Sequence, residues 1–143
     1  MKIKVINRSA FDLPRYETCH AAGLDLRADI SENLVIGSLE RTIVPTGLYV
    51  ELPPDCEMQI RPRSGMAAKH GLTVLNSPGT IDPDYRGEIM VILANMSRDD
   101  YELKPGERIA QMVVSKFERI EWDGVDSLSD TGRGAGGFGH TGK

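Results

Sequence analysis

Apolar residues in this chain recur mostly at every second position, in short runs cut by glycine and proline. Ile3 and Val5 alternate with Lys2 and Lys4, the pattern of a half-buried strand, until Asp12-Leu13-Pro14 breaks it. Alternation resumes at Leu24-Asp25-Leu26-Arg27, which sets the two leucines on one face and Asp25 and Arg27 on the other. Leu34 and Ile36, then Ile43-Val44, then Leu48-Tyr49-Val50-Glu51-Leu52 are further strand-length runs, ended by Gly37, Pro45 and Pro53-Pro54. Cys56, Met58 and Ile60 carry the alternation into Arg61-Pro62-Arg63-Ser64-Gly65, where a short helix is predicted over Met66 to His70. The segments Glu88 to Ala94 and Ile109 to Val114 are instead nearly continuous apolar runs, as in a strand covered on both faces or lying at a subunit interface. Turn signals at this spacing predict an all-β sandwich or jelly roll.

Turn chemistry is densest from Asn76 to Met90. Pro78-Gly79 and Pro83-Asp84 are turn dipeptides between the apolar pairs Leu72/Val74 and Ile89/Val91, so a β-hairpin is predicted with a site in its turn. Backbone donors and acceptors left unpaired there could read a planar polar ring, with Asp82 and Tyr85 beside it for chemistry and shape selection. By residue type alone the stretch reads first as a surface loop of ordinary turn formers.

Composition narrows the ligand. A chain of 143 residues and 15.7 kDa fits one domain, and 15 Gly with 8 Pro favour turns over long helices. A net charge of −4 and a pI near 5.4 argue against extended nucleic acid, whereas a few placed arginines and backbone amides suffice for one nucleotide. Cys19 and Cys56 have neither zinc-site spacing nor enough partners for a disulfide framework, and are expected as free thiols. Met1 to Asn7 lacks a signal-peptide apolar core and no stretch approaches a membrane span, so a cytoplasmic protein without membrane contact is expected.

Three further features carry candidate chemistry. Ser64 and Arg63 at the start of the predicted helix suit phosphate oxygens, although a capped helix with a surface arginine has the same residues. Gln111, set in an apolar run, needs hydrogen-bond partners if buried; a phosphate, a neighbouring subunit or backbone could supply them. After Trp122 the chain turns to Gly, Ser, Thr and Asp, which divides it into a β domain, 1–122, and a Gly-rich arm, 123–143. In that arm Arg133-Gly134-Ala135-Gly136-Gly137-Phe138-Gly139 could cradle phosphate or be a disordered tail, and it is no Walker A loop, since neither Gly-Lys-Ser nor Gly-Lys-Thr occurs.

Five segments in order resemble the motifs of the homotrimeric dUTP pyrophosphatases, the dUTPases: Ala22 to Ala28, Arg61 to Ala67, Asn76 to Met90, Gly106 to Gln111 and Arg133 to Gly139. The resemblance implies a homotrimer of jelly-roll-like subunits with sites at subunit interfaces, hydrolysing dUTP to dUMP and pyrophosphate with Mg²⁺. It implies that Asp82 is the base that activates the attacking water and that Asp25 holds hydrated magnesium through water. Arg63, Ser64, Gly65 and Gln111 would hold phosphates. Asn76, Gly79, Thr80, Ile81 and Met90 would line the base and sugar pocket, with Tyr85 stacked below the deoxyribose, and Arg133, Phe138, Gly139 and His140 would form a lid. Many members have Tyr where this chain has Leu24 and Ser where it has His140, a residue that titrates near neutrality. A dCTP deaminase of the same fold is the nearest alternative, but such enzymes carry a catalytic Glu where this chain has Ile92. A nucleotide-sensing regulator without catalysis is the other.

Overall fold

In the computed structural model, residues 1–137 are described. They form ten strands and one helix: β1 (Lys4–Asn7), β2 (Leu24–Arg27), β3 (Leu34–Ile36), β4 (Arg41–Glu51), β5 (Cys56–Arg61), α1 (Ser64–His70), β6 (Leu72–Val74), β7 (Gly79–Ile81), β8 (Glu88–Asn95), β9 (Tyr101–Leu103) and β10 (Arg108–Lys116). Two four-stranded antiparallel sheets, ordered β1-β4-β8-β6 and β2-β10-β5-β7, are joined by a two-stranded ribbon, β3-β9. Sequence neighbours rarely pair within a sheet, so the chain crosses repeatedly between layers in a jelly-roll-like sandwich. Leu26, Met58 and Ile60 from one sheet and Val44, Ile89, Val91 and Leu93 from the other are buried in the common core. Each contributes on the order of 1.5–3 kcal/mol by leaving water.

Two strand expectations change. Ile43-Val44 and Leu48 to Leu52 are not separate strands, because β4 runs through Pro45. A bulge makes this feasible: the register with β8 slips between Pro45, opposite Met90, and Tyr49, opposite Glu88. Gly47 within it has φ +68°, and a β-carbon there would strike the Ser9 backbone. The Glu88 carboxylate stitches the bulge by accepting from Thr46 N at 3.1 Å and Gly47 N at 2.7 Å, and Thr46 Oγ1 donates to Ile89 O at 2.6 Å.

The predicted hairpin also becomes a larger excursion. β6 and β8 do pair, Val74 opposite Leu93, but the chain between them leaves the sheet and adds β7 to the other one, Gly79 opposite Ile60 and Ile81 opposite Met58. Nor is β8 covered on both faces: Ile89, Val91 and Leu93 face the core while Met90 is exposed and Ile92 half-buried. The helix begins at Ser64, two residues earlier than predicted, and Gly71 ends it at φ 67° with its N–H donating to the Ala67 and Met66 carbonyls. Cys19 is exposed, Cys56 buried, and both are free thiols. No helix among the described residues is long and apolar enough to cross a membrane.

Candidate active site

β5 feeds α1 directly. Arg63 is the helix N-cap with extended backbone, φ −93° and ψ 129°, and no side chain caps the first turn. Asp25, Arg63, Ser64, Gly65 and Gln111 line a cleft of about 200 Å³ at this junction. Asp25 anchors it. Arg63 Nε donates to Asp25 Oδ1 at 2.8 Å, Arg108 Nη1 donates to Oδ2 at 3.0 Å, and Arg63 Nη1 reaches the Arg108 carbonyl at 3.2 Å. Two guanidinium groups on one carboxylate leave a net positive charge, a setting for an anion. Gln111 pairs with Asp25 in one ladder and Arg61 in the other, and its Nε2 donates to Pro62 O at 3.0 Å, so backbone supplies its partner. A β-carbon at Gly23 would lie 2.5 Å from Gln111 Oε1, so a side chain there would push the amide out of its present place.

A second cleft of about 300 Å³ opens beside β7. Asn76, Thr80, Ile81, Asp82, Tyr85 and Met90 line it, together with Ile43, Glu88 and Ile92, which were not among the predicted site residues. Gly79 lies buried behind it, where a β-carbon would sit 3.1 Å from Asn76 Nδ2. β7 is the edge of its sheet, so among the described residues one row of its backbone groups has no strand partner. Tyr85 caps the turn, its N–H donating to Asp82 O at 3.2 Å and its hydroxyl to Glu88 O at 3.0 Å. The apolar row Ile43, Met90 and Ile92 gives the cleft a hydrophobic wall opposite these polar groups. Glu88 is the cleft's other carboxylate, and its Oε1 is committed to the bulge.

The predicted site residues thus fall into two clefts that share none of their lining. Asp82 follows Ile81, which pairs with Met58, whereas Arg63 lies five residues further along extended chain, about 17 Å at 3.3 Å per residue. A triphosphate, two P–O–P links long, spans well under that distance. Arg133 lines neither cleft: it sits in a local turn, its Nε donating to Gly136 O at 2.8 Å. Phe138, Gly139 and His140 lie outside the described residues. Strand structure ends at Lys116, and beyond it Ile120, Trp122, Val125 and Leu128 are exposed, Trp122 by 91%.

Arg108 is the Asp25 partner that alternation hid. Counting by twos from Gln111 puts Ile109 on the face of Asp25. A bulge between Arg108 and Ala110 instead turns Arg108 to that face and buries Ile109. Its place within the Gly106 to Gln111 motif was the available signal.

Two clefts, one with an arginine-bound aspartate at a strand–helix junction and one beside an open strand edge, occupy the segments that carried the resemblance. The dUTPase family model matches residues 9–142. The chain belongs to the dUTPase family. Among the relatives of this dUTPase-family chain is the deoxyuridine 5'-triphosphate nucleotidohydrolase of Fusobacterium nucleatum, 53% identical over 143 residues and covering 100% of this chain and 98% of the relative. The enzyme of that name from Cytophaga hutchinsonii is 56% identical over 141 residues, covering 99% and 92% respectively. A dUTPase variant of Staphylococcus bacteriophage 80alpha, solved with dUpNHpp, shares the fold at a TM-score of 0.89 and 23% identity, over 99% of each chain.

Proposed function

We propose that this chain hydrolyses dUTP to dUMP and pyrophosphate. The observation that carries the reading is the open edge of β7 beside Asp82 and Tyr85, in a chain of the dUTPase family. Backbone groups at that edge match a uracil ring by paired donor and acceptor, as another strand would. The wall of Ile43, Met90 and Ile92 excludes water from the ring. Asp82 takes a proton from the water attacking the α-phosphorus, a role worth about 10² to 10⁴ in rate. Tyr85 lies under the deoxyribose, where a ribose hydroxyl would meet the ring and lose its hydration.

The phosphates go to the other cleft. Arg63, Ser64 and Gly65, with the Gln111 amide, offer charge and directional donors to clustered anions. Since those groups lie about 17 Å along the strand from Asp82, this reading needs two copies of the chain at one site. A homotrimer with sites at its subunit interfaces meets that need, with the arm from residue 123 onward, Arg133, Phe138, Gly139 and His140 included, closing over the nucleotide.

Magnesium would be held through water by Asp25. Among the described residues no three His, Cys, Asp or Glu side chains converge to hold a metal, and Asp25 is already shared by two arginines, so direct coordination by the chain does not fit. A hydrated ion does fit, because each Asp25 oxygen keeps a lone pair for a metal-bound water. When bound, the ion neutralises charge on the leaving pyrophosphate. A cytoplasmic setting, with free nucleotides and reduced thiols, is consistent with the two free cysteines.

The dCTP deaminase alternative lacks its acid. Ile92 does line the base cleft, but with an alkyl group, and the nearby Glu88 is tied to backbone amides. Pyrophosphate release from each dNTP, and from UTP, with magnesium tests the reading. Turnover of dUTP is expected, with dCTP poorer by a factor of about 10⁴ or more because its polar edge is mismatched. Equal turnover of dCTP, or none of dUTP, would sink it.

A further inference from the structure

Gly87 does not need to be glycine for its backbone, since its φ lies outside the left-handed region. It needs to be glycine for space. A β-carbon there would run into the hydroxyl and Cζ of Tyr85 and lie 2.9 Å from Cε2. The tyrosine ring is folded back across the glycine and tethered by its hydroxyl to the Glu88 carbonyl at 3.0 Å. With 43% of the residue exposed, packing alone does not fix that ring. Its position rests on the tether and on the bare floor beneath it. The acceptor is itself well anchored, because the Glu88 side chain is clamped to Thr46 and Gly47 across the bulge.

We propose that Gly87 is a positioning residue for sugar specificity: lacking a side chain, it lets the Tyr85 ring settle against the sugar face of the base cleft, and so sets discrimination between deoxyribose and ribose. This rests on the reading of Tyr85 as the platform under the sugar. Gly87 itself touches no substrate. A methyl group at this position displaces the far end of a flexible side chain and not backbone, so Gly87→Ala keeps the fold while moving the ring.

The test is a double-mutant cycle on kcat/KM for dUTP and UTP, using Gly87→Ala, Tyr85→Ala and the pair. Gly87→Ala is expected to lower the dUTP:UTP ratio roughly tenfold or more, mainly through a higher kcat/KM for UTP, whose ribose hydroxyl no longer meets the displaced ring. In the Tyr85→Ala background the same change should alter the ratio less than about twofold, since contacting residues couple and independent ones add. An unchanged ratio in Gly87→Ala, or an equal fall in both backgrounds, overturns the proposal. Should Gly87→Ala fail to fold, Tyr85→Phe removes the tether without adding an atom. Its ratio should fall several-fold, and an unchanged ratio is again fatal. Ring-labelled tyrosine NMR without nucleotide separates this inference from the functional reading. The Tyr85 signal must shift in Gly87→Ala, whereas a wild type that prefers UTP to dUTP would overturn the reading of the site itself.

Discussion

Asp82 stands where β7 ends, in the turn that Tyr85 closes by donating its N–H to the Asp82 carbonyl, so its backbone is held from both sides. An amide at this position can still hold a water but cannot accept its proton. Asp82→Asn is therefore expected to bind dUTP, read by calorimetry with magnesium, while turnover falls about 10² to 10⁴-fold. Near-normal turnover would remove Asp82 from the chemistry. In the other cleft side chains are held by neighbours: Asp25 by two arginines, and Gln111 by the Pro62 carbonyl.

Among the elements, β4 and β8 together supply the wall of the cleft beside β7. The bulge in β4 lets the strand pass Pro45 and still rejoin its ladder, and Glu88 on β8 holds the displaced Thr46 and Gly47 amides. Thr46 is buried, so an amide there left without its acceptor carries a desolvation penalty. Glu88→Ala is expected to cost about 1–3 kcal/mol in urea unfolding, with Glu88→Gln costing less because its amide oxygen still accepts. Equal stability of all three proteins would show that the clamp is ornamental. Sugar selectivity should loosen in Glu88→Ala as well, since the Tyr85 tether ends on the same residue.

At the scale of the whole molecule, the extension after β10 carries Ile120, Trp122, Val125 and Leu128 on its surface, apolar area that no described residue covers. The two clefts lie apart along β5. Both observations favour sites completed by a second and third copy. Co-refolding an Asp82→Asn chain with one truncated before Arg133 tests this. About a quarter of the sites in random trimers would join a sound Asp82 to a sound arm, so activity is expected to return on mixing. If verified mixed trimers stay as inactive as their parents, each arm serves its own chain.

The period of two at Leu24 to Arg27 and at Cys56 to Ile60 was enough to predict strands and to turn Asp25 away from the core, because alternation follows from local geometry alone. Gly71 and the turn residues likewise act within a few residues of themselves. The motif segments, taken in order, led to the family that the comparisons show. What local pattern could not reveal was decided at long range. Pro45 reads as a stop, and only the clamp from Glu88, 43 residues on, makes it the start of a bulge. Arg108 reaches Asp25 because a bulge in β10 breaks the very alternation by which its direction would be read. Asn76 to Met90 looks like one hairpin, but the free edge of β5 draws β7 into the opposite sheet. Gly87 resembles any other glycine after a turn until the Tyr85 ring lies across it. Register, bulges and side-chain collisions depend on which segments meet, and residues dozens of positions apart meet only once the sheets have formed.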